Sequence, residues 1–330
     1  MDYPNVKNAH IVPRAYLERW AVDGRIGVVQ VRENKCLEMA VENVGTRRHF
    51  YRRQRPDGSD IDDIEWTLAE VESNAAPLLE SFEEAWPFPS DDKLKLSTLF
   101  IFQLLRTPRW MKDYTERMRG YVDQYGRENP SALTDEELEE QYAFLVSDTR
   151  RLGQMLSHAV TGTAVFASMH WTLIEFARPL VATSDHPLVL WPGAASRSAE
   201  ATNIPQIGIL DCVEARLPLS PNHAALMTWS DAPDDENVRV RGTRDHAASL
   251  NAFTVASAER QWFHLPGPSP PIASGNLRPL SLELVPGYSA HAAAASQRRA
   301  RASEMAKKRV GRDFRDQEIE VVTVTRPART

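Results

Sequence analysis

Between Ile61 and Phe82 the apolar side chains Ile61, Ile64, Leu68, Val71, Ala75, Leu78 and Phe82 recur every three or four positions. That spacing lines one side of an α-helix, and a helix with such a stripe must bury it against a second apolar surface. Ser59 or Asp60 is placed to cap its start. Asp91 to Leu105 repeats the pattern with Leu94, Leu96, Leu99, Phe102 and Leu105. Pro108 then interrupts and restarts a helix that continues through Tyr114, Met118 and Tyr121. A third helix is expected from about Asp135 past Leu156. Residues 59–168 therefore predict a helical bundle.

The texture differs on both sides of that bundle. Before it, Arg25 to Val31 is rich in β-branched residues and follows the turn signal Asp23-Gly24, so it reads as a strand, with Cys36 to Val44 returning beside it. Pro56, Asp57 and Gly58 mark a loop. Beyond Met169 come HWTLIEFA, PLVATSDHPLVLW, ARLPLSP and HAALMTW, short β-prone runs separated by turn residues, which predict an antiparallel sheet. Asp245 to Ala258 reads as a helix and LPGPSPPIASGNLRPL as a Pro-rich loop. The expected fold class is α+β, a central helical bundle packed on a mostly antiparallel β-sheet. The expected organisation is one domain over 1–290, made of an N-terminal β/loop segment (1–58), a helical region (59–168) and a β-rich region (169–265). A basic C-terminal helix or tail follows over 291–330.

A chain of 330 residues with 42% hydrophobic residues can bury a sizeable core, and eight Trp supply bulky anchors for it. The formal net charge of −6 gives no global attraction to nucleic acid or to an anionic membrane. One segment runs against this balance: Arg298, Arg299, Arg301, Lys307, Lys308, Arg309, Arg312 and Arg315 face only Glu304 and Asp313. It reads either as a solvated terminal helix or as a contact surface for nucleic acid or a protein partner. Cys36 and Cys212 are the two cysteines, which argues against a disulfide framework and fits a reducing compartment. No window approaches the ~20 consecutive apolar residues of a membrane span, and the first residues lack a signal-type apolar run. The expectation is a cytoplasmic protein.

Five short motifs occur in order: N-A-H-I-V-P-R-A-Y-L from Asn8, H-F-Y from His49, L-L-R-T-P-R-W from Leu104, T-S-D-H-P-L-V-L from Thr183, and P-L-S-P from Pro218. Together they resemble the bacterial family known as the domain of unknown function DUF4238, over roughly Asn8 to Phe263, with the tail outside it. The resemblance singles out Asn8, His10, Pro13 and Tyr16, then His49, Phe50 and Tyr51, then Glu65, Glu72, Gln103 and Arg106. Further along it singles out Ser184, Asp185, Pro187, Pro218, Ser220, Pro221 and Asn251. Where the family usually reads S-D-N-P, this chain carries His186 in place of Asn. The family brings no activity with it.

The residue types themselves suggest chemistry. An imidazole at His10 or His49 exchanges a proton near neutrality, Asp185 can orient it, and Arg106 can neutralise a phosphate or carboxylate. These four are the candidate catalytic residues of a hydrolase-type enzyme acting on an anionic substrate, such as a phosphodiester or nucleic acid. Asn8, Arg14, Tyr51, Gln103, Ser220 and Asn251 are the candidate substrate-binding residues. The same residues also admit a structural reading, in which the chain is a non-catalytic binding or regulatory module. His10 is then a core imidazole, Arg106 pairs with Glu65 or Glu72, and Asp185 caps backbone amides ahead of a proline turn. No G-x-S-x-G precedes Ser220, no H-E-x-x-H or paired C-x-x-C is present, and no glycine-rich nucleotide cradle occurs, so the sequence assigns no cofactor and no metal. Arg151 and His158, seven positions apart on one helical face, match a spacing used by helical ribonucleases but arise readily by chance.

Overall fold

A computed structural model describes residues 8–48, 50–51, 53–54, 60–61, 63–192, 199–200, 208–236 and 238–310. The architecture is an α+β mixture in which sheets of mostly antiparallel strands adjoin a helical layer.

The first striped helix runs Asp63–Glu80. It starts later than Ile61 because Asp60 and Ile61 pair with Arg53 and Gln54 in a short ribbon. It packs against Ser90–Leu105, which buries Leu96, Leu99, Phe100, Ile101, Phe102 and Leu105. Burying each such side chain contributes about 1.5–3 kcal/mol, which is what commits this helix to the centre of the layer. Thr107 then accepts a hydrogen bond from the Trp110 amide, and Pro108 occupies the first helical turn of Pro108–Glu128. Proline is favoured there because its missing N–H would have no intrahelical partner. Arg106 and Thr107 therefore form a two-residue elbow between two helices.

The single third helix expected from Asp135 past Leu156 is instead two, Asp135–Leu145 and Asp148–Ser168. Asp135–Leu145 has no buried residue and lies against Pro108–Glu128. Asp148–Ser168 buries Leu152, Met155, Ala159, Gly162, Val165 and Phe166 against Ser90–Leu105. One straight rod cannot serve both neighbours, and the break falls at Val146 and Ser147, where the Ser147 amide donates to the Phe144 carbonyl and the Ser147 carbonyl accepts the Arg151 amide of the next helix.

The larger sheet has five strands in the spatial order Arg239–Gly242, His170–Phe176, His223–Thr228, Cys212–Ser220, Val189–Pro192. Its pairs are antiparallel except that Arg239–Gly242 runs parallel to His170–Phe176. The four-stranded sheet, in the order Lys35–Ala40, Arg25–Gln30, Gln261–His264, Thr183–Ser184, joins the N-terminal hairpin to the second half of the chain. The opening segment Asn8–His10 pairs with Thr46–Arg48.

The chain after the Pro-rich loop folds back on the five-stranded sheet. Glu214 accepts the amides of Leu280 at 3.0 Å and Ser281 at 2.6 Å, and Arg216 donates to the Arg278 carbonyl at 3.1 Å. Glu214 and Arg216, two apart on one strand, share a face and pair with each other. The Arg216 guanidinium lies 4.7 Å from the Trp191 ring centre and 5.1 Å from that of Phe253. The basic helix Gln297–Val310 is docked along Asp148–Ser168, and Asp231 caps its start through the amides of Gln297 and Arg298. Arg298 pairs with Asp234 and Arg299 with Asp211, while Arg301, Lys307 and Lys308 face solvent. Arg312 and Arg315 lie outside the described residues.

Candidate functional site

The motifs, scattered along the sequence, meet in space around the Arg106–Thr107 elbow. Tyr16, from the opening motif, donates its hydroxyl to the Pro218 carbonyl at 2.7 Å and lies 2.8 Å from Thr183 Oγ1. Trp20 Nε1 donates to the Val181 carbonyl at 2.8 Å. Tyr51 donates to the Arg106 carbonyl at 3.1 Å. Thr107 Oγ1 lies 2.7 Å from His186 Nδ1, so L-L-R-T-P is bonded directly to T-S-D-H-P. Each contact lets a buried hydroxyl, indole or imidazole keep a partner, without which it would cost about 1–3 kcal/mol.

On the helical side of this junction lies a polar cluster of Gln103, Arg106, Glu72 and His10. Gln103 and Arg106 are both 1% exposed and stand one helical turn apart. Arg106 Nη1 donates to Glu72 Oε1 at 2.5 Å. His10 is half-buried, and burial lowers its pKa below the ordinary imidazole value. The Glu72 carboxylate opposes that shift, while the Arg106 and Arg14 guanidinium groups reinforce it. Five buried polar atoms here have no hydrogen-bond partner among the described residues: Arg106 Nε and Nη2, Gln103 Nε2 and Oε1, and His10 Nε2. Glu65, a third carboxylate-bearing position of the motif set, also acts electrostatically on Tyr51.

The other sequence candidates fall elsewhere. Asp185 is buried in the four-stranded sheet, where its carboxylate accepts the amides of Glu259, Arg260 and Gln261 at 2.9, 2.8 and 3.1 Å. Burial pushes its carboxyl up to about 6 against the opposing pull of those three donors. The charge acting on it comes from Glu259, not from His10 or Arg106. The structure thus gives Asp185 the amide-capping role and does not bring it to His10. Asn251 is a bracket: Oδ1 accepts the Ala182 amide, and Nδ2 donates to the carbonyls of Leu180 and Pro271. Ser220 Oγ accepts the Asn222 amide at 3.2 Å and lies 2.9 Å from His223 Nδ1. Glu83 approaches the same Nδ1 at 3.4 Å, so serine and carboxylate compete for one nitrogen and no Ser-His-acid relay forms. Arg14 pairs with Glu18 on the surface. His49 lies outside the described residues, as does the side chain of Asn8.

His186, the departure from the family's Asn, is fully enclosed, and burial lowers its pKa to about 3, so it is a neutral imidazole held by Thr107. His158 sets its edge against Trp110, with ring centres 6.2 Å apart, and burial lowers it to about 4. Arg151, two turns earlier, bonds Asp148 at 2.6 Å. Among the described residues no group of three or more His, Cys, Asp or Glu could hold a metal ion. No helix there is long and apolar enough to cross a membrane.

Sequence reasoning named Gln103, Arg106 and His10 and left Glu65 and Glu72 open as partners of Arg106; the structure gives Arg106 to Glu72. An arginine on an otherwise apolar helix was the signal for one side of the cluster; His10 arrives from a strand nearly a hundred residues away. No curated protein and no solved structure matches the chain. The family model described as protein of unknown function (DUF4238) matches residues 8–267, most of the chain, and the protein belongs to that family.

Proposed function

We propose that the protein is a hydrolase-type enzyme acting on an anionic substrate, with Arg106, Gln103 and His10 as its reactive set. The observation that carries this reading is the group of five unpartnered buried polar atoms on these three residues. Native folds leave few such atoms, because each costs about 1–3 kcal/mol, and they concentrate where a ligand supplies the missing partner. Arg106 keeps Nε and Nη2 without partners among the described residues, a pair of nitrogens suited to two oxygens of a phosphate or carboxylate. Gln103 adds one amide donor and one acceptor beside it.

His10 is neutral at pH 7 because its pKa is lowered, so in the tautomer protonated at Nδ1 its free Nε2 can take a proton from water. In that step the water oxygen bonds to the electrophilic phosphorus or carbon and the bond to the leaving oxygen breaks. The proton taken by Nε2 passes to the leaving oxygen, and Arg106 offsets the charge that builds on the remaining oxygens. Glu72 holds the guanidinium in place by its single hydrogen bond.

The test is a panel of chromogenic phosphodiester, phosphomonoester and carboxylic ester substrates, with RNA and DNA, assayed on the full chain with and without divalent cations. Turnover should fall about 10²–10⁴-fold in His10→Gln and in Arg106→Lys, with circular dichroism unchanged. The acid limb of the rate profile should lie below pH 6.5, because the essential imidazole titrates lower than usual. A wild-type chain inert towards every class, or variants as active as the wild type, would sink the reading. An inert chain that still binds anions through Arg106 would be the non-catalytic binding module instead.

A further inference from the structure

An open cleft of about 770 Å³ lies between Pro108–Glu128, the start of Asp148–Ser168, the segment around Arg47 and Phe50, and residues 259–261. It carries five cationic side chains against three carboxylates, a local positive excess in a chain whose net charge is −6. Arg47, Arg151 and Arg260 converge there. Burial lowers the pKa of Arg47, and the like charges of Arg260 and Arg151 lower it further. Among the described residues neither Arg47 nor Arg260 has a carboxylate partner, and Arg151 Nε is a buried donor without an acceptor. Arg151 spends one nitrogen on Asp148, but the Arg47 and Arg260 guanidinium groups beside it carry no such pairing among the described residues, and like charges gathered this way repel one another unless an anion sits between them.

The walls fix this arrangement. Asp185 pins the backbone of Glu259, Arg260 and Gln261, and the Arg47 guanidinium lies 4.9 Å from the Phe50 ring centre. Arg47 pairs across the ribbon with Ala9, and His10 pairs with Thr46. Side chains alternate along a strand, so Arg47 and His10 project from opposite faces of that ribbon. Arg47 of the cleft and His10 of the Arg106 cluster therefore lie on opposite sides of that ribbon, and Gln103, Arg106 and His10 do not line the cleft.

We propose that this cleft is a binding site for a phosphorylated ligand of nucleotide size, gripped by Arg47, Arg151 and Arg260. The size falls within the ~300–1,000 Å³ of small-molecule sites. Guanidinium forks match phosphate oxygens, and the Phe50 ring beneath Arg47 holds one of them in place. A long nucleic-acid strand fits less well, because the positive excess is local and the rest of the chain is acidic.

The experiment is calorimetric titration of the full chain with inorganic pyrophosphate, with ADP and with a single-stranded oligonucleotide, at low and high salt. ADP should bind saturably, and the double variant Arg47→Gln/Arg260→Gln should bind it about 10-fold more weakly or worse. Both residues are exposed, so the fold tolerates the change. His10→Gln should leave this binding intact, which separates the cleft from the reaction proposed above. Failure of both small probes to bind at low salt would overturn the assignment, as would binding of the oligonucleotide alone. Unchanged ADP affinity in the double variant, or loss of it only in His10→Gln, would do the same.

Discussion

Arg106 donates to Glu72 at 2.5 Å across a gradient of solvation, with the arginine side chain 1% exposed and the glutamate 32% exposed. Arg106 sits at a helix elbow where its backbone carbonyl accepts the Tyr51 hydroxyl, and the carboxylate reaches its guanidinium from the neighbouring helix Asp63–Glu80. One hydrogen bond thus neutralises a buried charge while leaving two of its donors pointed away.

Removing the acid should therefore cost more than removing the buried cation. Glu72→Gln keeps an acceptor but leaves the buried cation uncompensated, and it should destabilise the fold by about 3 kcal/mol in urea titration. Arg106→Met fills similar volume without a charge and should cost less than Glu72→Gln. The reverse order would show that the ion pair contributes little to the fold.

The imidazole of His186 should make the fold sensitive to acid. Its folded pKa, near 3, lies below the ordinary 6.5, so the unfolded chain takes up a proton first. This contribution is fully present above pH 6.5 and is lost as pH falls from 6.5 towards 3, with a slope of up to about 1.4 kcal/mol per pH unit. His186→Asn, which restores the residue common in the family, keeps an acceptor for Thr107 and should flatten that part of the stability profile. Identical pH profiles for the two proteins would contradict the enclosed neutral imidazole.

Glu214 ties the segment after the Pro-rich loop to the sheet by holding two of its amides and pairing with Arg216. Glu214→Gln substitutes a donor for one of two acceptors and strands Arg216 between two aromatic rings. A loss of about 3–5 kcal/mol is expected, together with faster proteolysis between residues 267 and 280. Wild-type proteolysis rates in that variant would mean that other contacts dock the segment.

The two thiols should react differently. Cys36 is exposed and Cys212 buried. His264 Nδ1 donates to the Leu265 carbonyl at 2.6 Å, which leaves Nε2 as an acceptor 3.8 Å from Cys36 Sγ. Native protein should titrate one thiol per chain with a disulfide reagent, and two after unfolding. His264→Phe removes the imidazole nitrogen beside Cys36 Sγ and should change the rate of the native reaction while leaving the count of one thiol per native chain. Two fast thiols in the native protein would place Cys212 at the surface instead.

The helical layer was legible because its signals are local. The three-to-four spacing from Ile64 to Leu78 and the proline at Pro108 each act within one or two turns, so they need no knowledge of the rest of the chain. The break at Val146 and Ser147 was not legible, since it arises from the different directions of two neighbouring helices. The strands were readable as strands, but not the pairing that sets Arg25–Gln30 beside Gln261–His264 across more than two hundred residues.

The site divides in the same way. Sequence alone identified Arg106 as a polar residue on an apolar helix, the family resemblance added Gln103, and amide capping was among the roles offered for Asp185. Only the tertiary structure decided that Asp185 serves three backbone amides, that His10 comes under the charge of Glu72 and Arg106, and that Arg47, Arg151 and Arg260 share a cleft. A residue's chemical type is carried by the chain itself. Its charge state and its free hydrogen-bonding atoms depend on burial and on neighbours that only folding supplies.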